Sequence, residues 1–361
     1  MTELVMEKIK TQPRLTPEEG IALFEVFDLL KLGRLADECR RKFHPPRCDI
    51  GGQAEPVVTY TVDRNINYTN ICISGCRFCA FYRSPGHPEA YLISKKELFD
   101  KIQEMVVAGG THILLQGGLH PDLKLDFYEE LLGAVKKRFQ IHIHGFSPPE
   151  IVHFSRLNNR PVRSIIERLQ KAGLDTIPGG GAEILSDSFR QRVSPGKCTS
   201  EEWLDVMRQA HYLGMRTTAT MMFGSLETSA ERVAHLEKIR ALQDETKGFT
   251  AFIPWPFQPA NTALAHLQPA SGFDYLKTLA ISRIYLDNIP NIQASWVTQG
   301  AAIAQVALKF GANDLGGTMM EENVVKAANV SFRMTEPEIR MLIQQAGCQP
   351  QKRDCYYNKI C

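Results

Sequence analysis

Asn70-Ile-Cys72-Ile-Ser-Gly-Cys76-Arg-Phe-Cys79-Ala-Phe-Tyr-Arg83 places three cysteines in one short loop, with three and then two residues between them. A strand-like run, Val57-Val-Thr-Tyr-Thr-Val62, comes just before it. Thiolates are soft ligands, so cysteines grouped this tightly suit zinc or an iron–sulfur centre better than core packing. A closed structural zinc site takes four protein ligands, and His87 offers itself as the fourth. A 4Fe–4S cluster on three thiolates instead leaves one iron open, where chemistry can happen. The spacing favours the cluster, with zinc as the rival.

Downstream the pattern alternates. Helical segments such as 95–107 and 126–137 separate short apolar runs, the signature of parallel βα units. The runs lie at 57–62, 112–116, 140–145, 176–178, 216–223, 250–254, 292–296 and 313–315. Eight such units predict an α/β fold, a (β/α)8 TIM-type barrel over residues 51–320, with functional groups at the C-terminal strand ends. Residues 1–50 read as an N-terminal helical extension, in which Thr16-Pro-Glu-Glu19 has the form of a capping box. Residues 321–361 read as C-terminal helices, at about 321–328 and 336–345, with a tail packed on the barrel. The polar end carrying Cys348, Cys355 and Cys361 reads as disordered.

The strand ends carry the candidate site. Gln116-Gly117-Gly118 follows the second run, where glycines allow close backbone approach to a ligand. His142 and His144 share a face of the third, and Ser147-Pro-Pro-Glu150 starts a helix with proline in its first turn. Pro178-Gly-Gly180-Gly-Ala-Glu183 follows the fourth, and Glu183 projects where a ribose would be held. Thr218, Thr220 and Met222 share a face of the fifth, as a pocket lining or as core with hydroxyls satisfied by backbone. Trp255, Phe257, Asn261 and Thr262 lie on a proline-stiffened sixth loop. Gln293 and Trp296 end the seventh run. Asp314 and Glu321 are the carboxylates best placed as proton acceptor, although acidic residues at helix starts are often caps.

Composition sets the class. The 361 residues are 43% hydrophobic and carry 42 basic against 40 acidic residues, a net charge of +2. No basic patch for nucleic acid stands out, and no run approaches the ~20 apolar residues of a membrane span. No secretory signal opens the sequence. Nine cysteines, three of them clustered, fit a reduced cytoplasm better than a disulfide framework. P-loop, HExxH and GxSxG motifs are missing.

CxxxCxxC with Phe78 before the last cysteine resembles the signature of the radical S-adenosylmethionine (SAM) superfamily. The resemblance extends from the cysteine loop to Asn323. It implies a 4Fe–4S cluster on Cys72, Cys76 and Cys79, with SAM bound at the open iron and split into a 5′-deoxyadenosyl radical. Phe78, Gln116, Gly117, Gly118, Ser147, Gly180 and Glu183 would then contact the cofactors. A basic partner for Glu183 comes from Arg190, Arg192 or Lys197, of which Arg192 is our choice. Gln116 stands where this superfamily often has an acidic residue after the glycines.

Within the superfamily, Pro178–Ile184, Thr217–Gly224, Phe252–Pro259 and Gln293–Gly300 are similar to the synthases of the futalosine route to menaquinone and of the deazaflavin cofactor. They look most like the branch that cyclises dehypoxanthine futalosine. The aminofutalosine branch differs around the sixth strand. The implied reaction removes hydrogen from ribose C4′ and closes a spiro ring onto the carboxyaryl ring. Thr218, Thr220, Trp255, Phe257, Asn261, Gln293 and Trp296 would hold the substrate. Asp314, Glu321 and His144 would handle protons, and a flavodoxin or ferredoxin would supply the electron.

Overall fold

The computed structural model describes residues 2–11, 14–26, 28–48 and 54–360, so Cys361 lies outside the described residues. Parallel strands close into a ring. Asp63–Asn67 pairs with His112–Gln116, which pairs with His142–Gly145. Bridges from His144 to Thr176 and from Ile177 to Thr217 carry the ring to Thr217–Phe223. That strand pairs with Phe249–Pro256, then Asn291–Ile292, and a Gln293–Asp314 bridge leads to Asp314–Gly317. Asp314–Gly317 pairs with Val57–Thr61, whose chain runs on past Val62 into Asp63–Asn67. The ring thus has the eight positions expected, and closure leaves it without free edges.

Differences from expectation have local causes. The first strand is longer than its apolar run, because polar Asp63, Asn65 and Asn67 face inward. The fourth is reduced to two bridges, since Pro178 brings no N–H to the ladder. The seventh stops at Ile292, and Trp296 already begins the helix Trp296–Ala307, kinked where Gly300 takes φ +76°. Helices Lys95–Val107 and Glu336–Gln345 span the expected residues.

The N-terminal segment forms helices Thr2–Thr11, Pro17–Val26 and Leu29–Phe43. The Thr16 N–H donates to Glu19 Oε2 at 2.9 Å and the Glu19 N–H to Thr16 Oγ1 at 3.3 Å, completing the capping box. Among the described residues, no helix is long and apolar enough to cross a membrane.

The C-terminal segment is structured through Ile360, against the sequence reading. Gln349–Lys352 adds a parallel strand to the edge of Val57–Thr61 that Asp314–Gly317 leaves free, in register from Gln349 opposite Val57 to Lys352 opposite Tyr60. Beyond it, Arg353 turns into the barrel and bonds Asp314, with Nε to Oδ2 at 2.5 Å and Nη2 to Oδ1 at 2.9 Å. A buried ion pair with both oxygens bonded fixes the segment as the barrel floor. Cys348 and Cys355 are buried there. Polarity marked this segment as a tail because its charges find partners only in the folded barrel.

Candidate active site

The cysteine loop leaves the mouth end of Asp63–Asn67. Cys72 N–H donates to Arg83 O at 2.9 Å and Arg83 N–H to Asn70 O at 2.8 Å, so the loop closes on itself. Ile73 N–H reaches Leu119 O and Arg77 N–H reaches Val193 O, tying it to two neighbouring loops. Cys72, Cys76 and Cys79 line one cavity of about 250 Å³ and form no disulfide. Burial pushes the Cys76 thiol up to about 11 and raises Cys79 too. Thiols held neutral by burial ionise readily only when a cation binds them. His87, the candidate fourth zinc ligand, is exposed and lies outside this lining, with its Nδ1 accepting the Glu89 N–H at 3.1 Å. Three soft donors around a cavity with room beside them fit a cluster with one open iron.

Gly117, Gly118, Phe78, Ser147 and Glu183 share this cavity. At Gly118, a Cβ would fall on the Ile71 carbonyl oxygen and lie 2.8 Å from Cys72 Cβ. The glycine is therefore needed for loop-on-loop packing as well as for an open backbone. Glu150 holds the neighbouring turn. It accepts from Tyr68 Oη at 2.7 Å, Gly117 N–H at 3.1 Å and Ser147 Oγ at 2.6 Å. Burial raises its carboxyl to about 7, against the pull of these donors.

Glu183 has φ +41°, a left-handed backbone uncommon for any residue but glycine. Lys197 Nζ lies 2.8 Å from its Oε1, and Arg190 Nη1 3.6 Å from Oε2. Burial pulls the Lys197 ammonium down, yet Glu183 and Cys76 outweigh that and raise it. Lys197 also stands over the Phe78 ring, 5.0 Å from its centroid. Oε2 of Glu183 is buried without a hydrogen-bond partner, an open acceptor toward the cavity. Arg192, our choice from the sequence, is elsewhere. It is exposed and pairs with Glu231 at 3.1 Å, because the helix Asp187–Val193 turns it outward.

A second cavity of about 270 Å³ fills the barrel beneath the first, and Gln116, Gly180 and Trp255 belong to both walls. Thr218, Thr220, Gln293, Trp296 and His144 line it as expected. The two threonine hydroxyls are engaged by backbone. Thr218 Oγ1 accepts the Gly179 N–H at 3.0 Å, and Thr220 Oγ1 donates to Gly179 O at 2.6 Å. His144 Nδ1 lies 2.7 Å from Thr176 Oγ1, and burial lowers the imidazole to about 3. It is thus a neutral hydrogen-bonding group rather than an acid or base.

Four further expectations are corrected. Asp314 is fully buried in the barrel wall, with Arg353 and Thr59 on its oxygens, and is no free base. Glu321 faces away, held by Lys101 at 2.7 Å and Arg64 at 2.9 Å. Asn261 lies outside both cavities and donates to Ala327 O at 2.8 Å. Phe257 is buried against the cysteine cavity, not the barrel one.

The sequence reading missed Asp63, Asn65, His112, Glu150, Arg353, Cys355 and Tyr357. The polar alternation Thr61, Asp63, Asn65, Asn67 was a usable signal, being a period of two with polar residues facing inward. Nothing in the sequence placed Arg353, Cys355 and Tyr357 in the barrel.

Comparison with known proteins agrees with this geometry. The model described as "Radical SAM superfamily" matches residues 66–239, and "CofH/MqnC C-terminal region" matches residues 246–360. The FeFe-hydrogenase maturase HydG from Carboxydothermus hydrogenoformans superposes with TM-score 0.75 at 19% identity, covering 98% of this chain and 80% of that one. The chain belongs to the radical SAM superfamily, and is an enzyme of that class which carries the region shared by CofH and MqnC proteins. A cyclic dehypoxanthine futalosine synthase from Halalkalibacterium halodurans is 44% identical, over 99% of this chain and 94% of its own length. A 5-amino-6-(D-ribitylamino)uracil–L-tyrosine 4-hydroxyphenyl transferase from Archaeoglobus fulgidus is 45% identical, over 90% and 92%. Members of the superfamily work with a 4Fe–4S cluster and SAM.

Proposed function

We propose that the chain converts dehypoxanthine futalosine to its cyclic form, closing a bond between ribose C4′ and the carboxyaryl ring with net loss of two hydrogens. The observation that carries this reading is the pair of adjoining cavities, one bearing three thiols and the other enclosed by the barrel, with Gln116, Gly180 and Trp255 between them. Cys72, Cys76 and Cys79 would hold the cluster. Gly117 and Gly118 would face the methionine part of SAM, and Glu183, steadied by Lys197, would take a ribose hydroxyl on its open oxygen. When bound, cluster and SAM supply hydrogen-atom abstraction from an unactivated C–H bond.

The chain's own work is positioning and exclusion. Trp255 and Trp296 give the barrel cavity flat apolar walls, and Trp296 is fixed by donating Nε1–H to Gly317 O at 3.1 Å. Holding two reacting carbons of one substrate together lowers a barrier by roughly 7–11 kcal/mol. Enclosure keeps water and stray hydrogen donors away. A flavodoxin or ferredoxin would deliver electrons to the cluster.

The relative from Archaeoglobus fulgidus favours a second reading, transfer of a 4-hydroxyphenyl group to a ribitylated uracil. One experiment separates the two. Reconstituted enzyme is incubated anaerobically with SAM, a strong reductant and either dehypoxanthine futalosine or tyrosine plus 5-amino-6-(D-ribitylamino)uracil. A futalosine product lighter by two hydrogens, formed in step with 5′-deoxyadenosine, supports cyclisation. Product only from the uracil and tyrosine overturns it.

A further inference from the structure

Asp63 and Asn65 stand two residues apart on one strand and face the barrel cavity together. Both are buried. Asn65 donates Nδ2–H to Glu322 Oε2 at 2.8 Å. Glu322 Oε1 is occupied by the Val324 and Val325 N–H groups, at 2.8 and 3.1 Å. A carboxylate only accepts, so this contact fixes the amide's orientation and turns Oδ1 into an acceptor. That Oδ1 is buried and has no hydrogen-bond partner. Asp63 is similar. Its Oδ1 accepts the Met319 N–H at 3.2 Å, while Oδ2 has only His112 Nε2, at 3.9 Å, beyond hydrogen-bond distance. The fold makes room for this carboxylate, since a Cβ on Gly317 would collide with it.

A buried acceptor left open costs about 1–3 kcal/mol, so Asn65 Oδ1, with Asp63 Oδ2 on the same face of the strand, calls for donors from the cavity's ligand. A sugar with hydroxyls at adjacent positions supplies two such donors.

We propose that Asp63 and Asn65 form an acceptor pair that binds the sugar hydroxyls of the substrate and so determines which end of it enters the barrel. The inference rests on the reading that this cavity holds a sugar-bearing substrate. The pair also keeps a substrate carboxylate off this wall, where it would face Asp63 and Glu322.

The test is calorimetric titration of the reconstituted holoenzyme, without reductant, with dehypoxanthine futalosine and its 2′-deoxy and 3′-deoxy analogues. Wild-type enzyme should lose about ten-fold or more in affinity when the bound hydroxyl is removed. Asp63→Asn or Asn65→Ala should lose a similar factor for the full substrate and little more for the matching analogue. Melting curves identify which variant is folded, and either suffices. Unchanged discrimination in a folded variant, or none in the wild type, overturns the proposal. If the wild type does not bind the futalosine, the cyclisation reading fails by itself, and the titration is repeated with 5-amino-6-(D-ribitylamino)uracil. Binding that Asp63→Asn weakens upholds the acceptor pair on the ribityl hydroxyls. No binding, or binding that ignores the substitution, ends it.

Discussion

Glu150→Gln isolates the energetics of the buried carboxylate under the cysteine cavity. Burial is the larger influence on this group and raises it from 4.5 to about 7, despite three hydrogen-bond donors. A carboxyl raised in the folded state binds its proton more tightly there than in the unfolded chain. Its contribution to stability is therefore full below pH 4.5 and is lost as pH rises through 7. Between pH 5 and pH 8, linkage puts the loss at roughly 2.5 kcal/mol. Glutamine keeps an acceptor for Tyr68 and Gly117, and the Ser147 hydroxyl can turn to accept from its amide. The variant should thus gain on the wild type as pH rises, with the other titrating groups cancelling in the difference. For a chain of this size 1 kcal/mol moves Tm by about 1.3 °C, so the Tm difference should grow by about 3 °C across that range. Anaerobic melting of both holoenzymes at matched pH reads it directly. A difference that stays constant from pH 5 to 8 would mean Glu150 titrates normally, and the argument from burial would be wrong.

Three further outcomes follow from the same structure. Arg353→Met leaves Asp314 buried without its countercharge and should cost roughly 3–5 kcal/mol in thermal melts, much of it recovered by adding Asp314→Asn; a Tm near wild type would dismiss the floor ion pair. Gly118→Ala should reduce iron bound after reconstitution, because its methyl displaces Ile71 and Cys72. Gly133→Ala, in the helix Leu125–Arg138 with nothing within 4 Å of the added Cβ, should stabilise by about 1 kcal/mol. Equal iron contents in the two variants would refute the packing role of Gly118. Cys76→Ala should retain the fold while losing iron and SAM cleavage, as shown by metal analysis and deoxyadenosine assay, and full SAM cleavage would remove Cys76 from the ligand set.

The barrel was legible because its strands are apolar and its helices carry caps, both local features. The cysteine loop was legible for the same reason, as were the glycines after the second and fourth strands. What escaped depends on pairs far apart in sequence. Asp314 looked like a free carboxylate until Arg353, from the chain end, was found on it. Glu321 looked catalytic until Lys101 and Arg64 were found around it. Arg192 and Lys197 were equivalent as charges near Glu183. Arg192 is turned outward by the helix Asp187–Val193, while Lys197, in the turn that follows the helix, reaches inward to Glu183.

The corrections also change what the barrel cavity demands of its ligand. Removing Asp314 and Glu321 leaves a cavity whose carboxylates, Asp63 and Glu322, lie on one wall beside an open amide oxygen. Across the ring of strands stand backbone-satisfied threonines and Trp255, while Trp296 is bonded to Gly317 beside Asp63. One side therefore accepts hydrogen bonds and the other is apolar or already bonded. A substrate with a polyhydroxylated sugar at one end and an aromatic ring at the other matches that division in a single orientation. This orientation would turn the sugar toward Asp63 and the ring toward Trp255. Since Trp255 also belongs to the thiol cavity, C4′ and the ring it joins would both lie near that cavity, with the sugar hydroxyls turned toward Asp63. Both substrates considered carry hydroxyls of this kind, so the proposed acceptor wall would serve either. The difference between them then falls to the residues that meet the ring.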